Sequence, residues 1–139
     1  MEVFFDSNVF LYHLADAKEI ATVLIRKVEE GEITGYINDI VVSEVVYGYM
    51  RARTGLSPQS LKKKIHKISM DYSDLKELLN LFETLPLRTG TDVIEFIEKY
   101  ALLPNDALIV ATCRDFGIKK IATFDEDFKR VDFLETVSL

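Results

Sequence analysis

Four carboxylates stand out in this 139-residue sequence by what surrounds them. Asp6 ends the apolar run in "MEVFFD", Glu44 lies in "DIVVSEVVYGYMRAR", Asp106 heads "DALIVATC", and Asp125 follows "KKIATF". Asp127 is a fifth acid two residues on. An isolated carboxylate among apolar residues is costly unless something pairs with it. Carboxylates brought together repel, and some take up protons near neutral pH. A shared divalent cation removes that cost. Oxygen-only ligands suit Mg²⁺ or Mn²⁺ rather than Zn²⁺. A water activated by such an ion can attack phosphorus while the metal steadies the leaving oxygen. With no partnered Lys, Ser or Cys, the acids point to metal-assisted phosphodiester hydrolysis. Each acid also has a plain structural role open to it: Asp6 as a helix cap, Glu44 on an amphipathic surface, Asp106 at a helix dipole, Asp125 in a turn. Convergence of all four on one rim is the less ordinary outcome.

The elements that must position these acids follow from local patterning. "MEVFFD" reads as a short buried strand, after which Ser7 or Asn8 can cap a helix through "VFLYHLA". "DAKEIATVLIRKVEEG" restarts a helix. Asp16 and Glu19 have capping-box spacing, Ile20, Val23, Leu24 and Val28 form one face, and Gly31 closes it. "TGYIN" is a second strand, and the Glu44 segment is a helix broken by "TGLSP". "QSLKKKIHKI" predicts a short basic helix and "SDLKELLNLFETL" another, with a third strand near "LPLR". "DVIEFIEKYALL" is helical, with Asp92 and Glu95 at capping-box spacing. Pro104 and Asn105 start a largely apolar helix ended by Gly117. "KKIAT" is a strand, and "LETVSL" a last edge strand.

Short strands alternating with helices predict a single α/β domain over residues 1–139, with a parallel sheet and helices on both faces. Ligands in such sheets sit outside the carboxyl ends of the strands. That rule places Asp6 and Asp125 together, and Asp106 at its helix N-terminus can project to the same rim, where the dipole favours negative charge.

Composition limits the alternatives. The chain is long enough to bury its own core, and 48% hydrophobic with 29% charged residues is ordinary for a globular domain. No apolar run reaches membrane-spanning length. The acidic N-terminus lacks the features of a secretory signal, and a single cysteine, Cys113, suits a reducing compartment, so a cytoplasmic location without membrane attachment is expected. The net charge is −6, so nucleic acid cannot be held by bulk charge. The charge is uneven, however. From Val45 to Met70 there is no acid, only Arg51, Arg53, Lys62, Lys63, Lys64 and Lys67, which leaves eleven bases against 23 acids elsewhere. This window is either a solvated Lys-rich face or a phosphate-contacting arm, with Arg51, Arg53, Lys63 and Lys67 as its candidates.

The motifs resemble those of PIN-domain nucleases. "FFDSNVFLY" is similar to the first motif, "VVSEVVYG" to the second, "LPNDALIVATC" to the third, and "IATFDEDF" to the fourth, in the family order and spanning Val3 to Phe128. The resemblance implies a PIN-like three-layer sandwich with strand order 3-2-1-4-5 and Mg²⁺- or Mn²⁺-dependent cleavage of RNA. It implies Asp6, Glu44, Asp106 and Asp125 as the acidic, metal-holding site. Ser7, Asn8 and Thr123 match supporting positions, and Asp127 matches the last acid of the fourth motif. The size is similar to that of stand-alone toxins of VapBC toxin–antitoxin pairs, which implies a homodimer and an antitoxin protein as partner.

Other features point to no chemistry of their own. His13 and His66 lie on different elements and make no helical metal pair. Cys113 reads as a small core residue. Tyr47, Tyr49 and Met50 suit helix packing or a dimer contact. No glycine-rich phosphate loop is present, against a nucleotide triphosphatase. A phosphoacceptor receiver domain would need an acidic pair after the first strand and an Asp ending the third; "DSN" and "LPLRTG" supply neither. A non-catalytic PIN module binding RNA or protein has no need of the intact acids.

Overall fold

The computed structural model describes residues 1–137. Five strands, β1 (Glu2–Phe5), β2 (Thr34–Asn38), β3 (Glu83–Leu85), β4 (Lys120–Ala122) and β5 (Glu135–Thr136), form one sheet in the order β3-β2-β1-β4-β5. Every neighbouring pair is parallel. The expected order is therefore observed. Among the described residues seven α-helices connect the strands: α1 (Ser7–Leu14), α2 (Glu19–Glu29), α3 (Asp39–Thr54), α4 (Pro58–Lys64), α5 (Ser73–Leu79), α6 (Val93–Tyr100) and α7 (Pro104–Asp115). Among the described residues no helix is long and apolar enough to cross a membrane.

Val3, Phe4 and Phe5 are all fully buried, so the central strand β1 is covered on both faces, as a parallel sheet requires. Phe5, Phe10 and Phe82 meet edge-on or tilted in one cluster. Gly35 in β2 makes room for this cluster, since a Cβ there would come within 2.5 Å of the Phe82 ring. Helix α7 supplies Ile109, Val110, Ala111 and Cys113, all fully buried.

Several local expectations are corrected. The cap of α1 is Asp6, not Ser7 or Asn8. Asp16 does not cap α2: the N–H groups of Ala15, Asp16 and Ala17 turn back onto α1 carbonyls, and this closure puts Asp16 at a φ of 51°. Lys18 stands at the α2 cap without a side-chain bond. Asp92 continues a 3-10 turn, Gly90–Asp92, directly into α6, so its backbone is already helical and cannot form a capping box. Helix α5 stops at Leu79, and β3 precedes "PLR" because Phe82 and Leu85 turn into the core. The basic segment is split, with α4 ending at Lys64 and Ile65–Lys67 forming a 3-10 turn. The last strand is confined to Glu135–Thr136 among the described residues; Ser138 and Leu139, the end of the predicted strand, lie outside them.

Candidate active site

The site is built at the carboxyl ends of β1, β2 and β4. Strand β1 ends beside β4, where the Asp6 N–H donates to Ala122 O at 3.0 Å. Asp6 is 4% exposed, and both its oxygens are occupied. Oδ1 accepts from the Ser7 N–H at 2.8 Å, and Oδ2 accepts from the Thr123 hydroxyl at 2.7 Å. That hydroxyl in turn accepts from the Asp125 N–H at 3.0 Å. Asn8 Oδ1 accepts from the Phe124 N–H at 3.3 Å. Thus Asp6, Asn8 and Thr123 fix the loop after β4. Asp125 caps the following 3-10 turn, Glu126–Arg130, by accepting from the Asp127 N–H at 2.9 Å.

A carboxylate oxygen from each of Asp106, Asp125 and Asp127 lies within 4.8 Å of the others. Asp106 arrives from the first turn of α7. Glu44, half-buried on α3, and Asp6 are outside this set of three, yet their charges reach it. Burial first, then the charges of Asp6, Asp125, Glu44 and Asp127, push the Asp106 carboxyl from 3.8 up to about 7. Asp6 rises to about 6, chiefly by burial, with the charges of Glu44 and Asp125 adding to it and the bonds from Thr123 and Ser7 opposing. Burial and like charge both oppose ionisation here, and a bound cation would relieve both. The all-oxygen donor set fits Mg²⁺ or Mn²⁺.

Helix α3 is held against α7 by a buried contact that sequence reasoning did not single out. Asn38 caps α3 through its Oδ1 and donates its amide to Thr112 Oγ1 at 3.0 Å. Nothing in "TGYIN" distinguishes this asparagine from an ordinary strand end. Arg130 was also missed. It donates to Asp127 Oδ1 at 2.9 Å, and the only sequence signal is the i,i+3 spacing of the two charges.

The candidate basic arm is exposed. Arg51 lies seven residues from Glu44 on α3, close to the same face and about 10 Å along the helix. Its Nε donates to Leu56 O, and Arg53 sits 5.1 Å from the Tyr49 ring centre. Among the described residues Lys63 and Lys67 pair with no acid. An apolar groove of about 480 Å³, lined by Ile37, Val42, Val46, Tyr72, Leu75 and Leu79 among others, contains none of the five acids. Its polar lining residues, Asp39, Lys76, Asn80 and Thr84, bring a single carboxylate and no acidic cluster.

Comparison with known proteins places this geometry. The PIN domain family matches residues 3–134. The chain is 48% identical over 141 residues to Ribonuclease VapC2 of Methanocaldococcus jannaschii, covering 99% of this chain and 94% of that one. It is 32% identical over 147 residues to Ribonuclease VapC6 of the same organism, covering 97% and 95%. In structure it is similar to VapBC2 from Rickettsia felis bound to a DNA fragment from their promoter, with a TM-score of 0.66, 19% identity, and 99% and 98% coverage. Four acidic motifs in family order, the parallel sheet that gathers them and a relative near half identical from end to end agree: the chain belongs to the PIN-domain family.

Proposed function

We propose that this protein is a Mg²⁺- or Mn²⁺-dependent endoribonuclease and the toxin of a toxin–antitoxin pair. The observation that carries the reading is the convergence of Asp106, Asp125 and Asp127 at the strand ends, with the charges of Asp6 and Glu44 bearing on the same spot. The curated relatives are both ribonucleases by name, and the structural neighbour is a VapBC assembly.

Asp106, Asp125 and Asp127 would hold the ion directly, with Asp6 and Glu44 completing the acidic site. When bound, the ion supplies charge stabilisation to the phosphodiester and lowers the pKa of the attacking water. The chain's own residues do the positioning. Thr123 locks Asp6 to the Asp125 loop, and the Ser7 N–H fixes the other Asp6 oxygen. Asn8 fixes Phe124, the residue before Asp125. Arg51, Arg53, Lys63 and Lys67 offer exposed cations to the RNA backbone, which positions a substrate without reading its bases. The partners are RNA, an antitoxin protein and a second copy of the chain, in a cytoplasmic setting that suits the buried thiol of Cys113. Light scattering tests the dimer: a mass near 15.9 kDa at micromolar concentration counts against it.

The deciding experiment is Asp106→Asn. The variant should keep its fold and lose Mn²⁺-dependent RNA cleavage, and its melting temperature should gain little from Mn²⁺ where the wild type gains clearly. Undiminished cleavage by the variant refutes the mechanism, whereas a wild type that binds RNA but leaves it uncut in Mn²⁺ favours a module that binds without cutting.

A further inference from the structure

Arg130 makes three contacts from one guanidinium. Nη1 donates to Asp127 Oδ1 at 2.9 Å, Nε to Tyr100 O at 2.9 Å, and Nη2 to Ala101 O at 2.7 Å. The contact with Asp127 alone would mean little, because both side chains are about half exposed and exposed ion pairs contribute little. The other two change its meaning. Tyr100 and Ala101 form the C-terminal end of α6, where carbonyls lack helical partners and the dipole is negative. Ala101 sits in the left-handed region at a φ of 53°, a conformation that costs a residue with a Cβ about 1 kcal/mol or more. A second tether lies beside it, from the Tyr100 hydroxyl to Asp132 Oδ1 at 2.8 Å.

A guanidinium is planar and its N–H directions are fixed as a fork. Two main-chain carbonyls therefore set the plane, and the plane sets where Asp127 is held. Five residues beyond Ala101 the chain reaches Asp106. We propose that Arg130 is a positioning residue of the acidic centre. It fastens the turn that carries Asp125 and Asp127 to the α6–α7 connection that delivers Asp106. Arg130 engages one oxygen of Asp127 by a single N–H, and a carboxylate with two oxygens keeps acceptor capacity for a cation. The proposal rests on the metal-site reading given above.

The test is Mn²⁺ affinity, measured from the electron paramagnetic resonance signal of free Mn²⁺ without any RNA. The proteins compared are wild type, Arg130→Gln, Arg130→Lys, Asp127→Asn, and the double variant carrying Arg130→Gln with Asp127→Asn. Loss of an outer partner of a metal ligand lowers affinity by about 10- to 100-fold, and that is the expected loss in Arg130→Gln. Arg130→Lys should recover only part, since an ammonium cannot hold three diverging acceptors as the fork does. The double variant should lose less than the product of the two single losses, because the two side chains act through one contact. Melting in EDTA checks that each variant is folded. If Arg130→Gln folds poorly, the lysine variant answers the same question. A folded Arg130→Gln or Arg130→Lys that binds Mn²⁺ within twofold of wild type overturns the positioning role alone. A wild type that binds no Mn²⁺ overturns the metal reading and this inference with it.

Discussion

Thr123 and Asp6, 117 positions apart in sequence, meet hydroxyl to carboxylate at 2.7 Å. The contact crosses from the end of β4 to the end of β1 and is buried. It is also a relay, because the same hydroxyl accepts from the Asp125 N–H. One threonine therefore sets the distance between the first and the fourth acidic motif.

Thr123→Val keeps the shape and removes both roles. The buried Asp6 oxygen loses a donor and the Asp125 N–H loses an acceptor. Leaving buried polar groups unpaired costs about 1–3 kcal/mol each. The variant should melt several degrees lower, and its RNA cleavage should fall at least tenfold as the Asp125 loop loses its anchor. Thr123→Ser retains the hydroxyl and should restore most of both. A valine variant with wild-type cleavage would show that the relay is dispensable.

The raised carboxyls of Asp6 and Asp106 make a prediction about pH. Their folded-state values, about 6 and about 7, lie above the 3.8 of an unfolded chain. Between those limits the folded state binds more protons than the unfolded one. The stability they contribute is thus full below pH 4 and is lost as pH rises through 6 and 7. His13 acts in the opposite sense, since burial lowers its value and protonation at low pH opposes folding. Comparing wild type with Asp106→Asn cancels that contribution. In EDTA the variant should melt above wild type at pH 8, and the gap should close toward pH 5. Adding Mn²⁺ at pH 8 should raise wild type more than the variant. A wild type that melts above Asp106→Asn at pH 8 in EDTA contradicts the crowding argument.

The parts of this architecture that follow from single residues were legible in the sequence. Apolar runs ending in Asp6 and Asp125 define strand ends, and alternation with helices dictates a parallel sheet, so the rim could be placed before any coordinates. Asp106, two residues after Pro104 at a helix start, was legible for the same reason. What escaped depends on contacts between distant elements. Asp16 matches a capping signal, but the closing turn of α1 claims its backbone first. The apolar periodicity of "SDLKELLNLFETL" continues past Leu79, yet Phe82 must leave the helix to reach Phe5 and Phe10. Arg130 looks like one more surface base until Tyr100 and Ala101 bring their carbonyls to it. Asp127, matched by motif only as the last acid of the fourth and left out of the metal-holding set, stands within 4.8 Å of Asp106 and Asp125 in the folded chain.

The acid-free window invites the last prediction. Lys63 lies in the last turn of α4 and Lys67 ends the 3-10 turn after it, so they do not share one regular helical face. Both are exposed. Lysine is a compact point charge, suited to phosphate rather than to base edges. Each phosphate it neutralises releases counterions, so affinity falls as salt rises, with a slope of about 0.7 per contact on single strands. Lys63→Ala combined with Lys67→Ala, in an Asp106→Asn background that cannot cut, should weaken RNA binding and flatten its salt dependence by about one to two contacts' worth. Restored to the cleaving background, the double variant should keep the cleavage sequence of the wild type, because a phosphate contact carries no base information. Equal affinity and an equal salt slope in the double variant would make this segment a solvated face and move the phosphate contacts to Arg51 and Arg53 on the Glu44 helix.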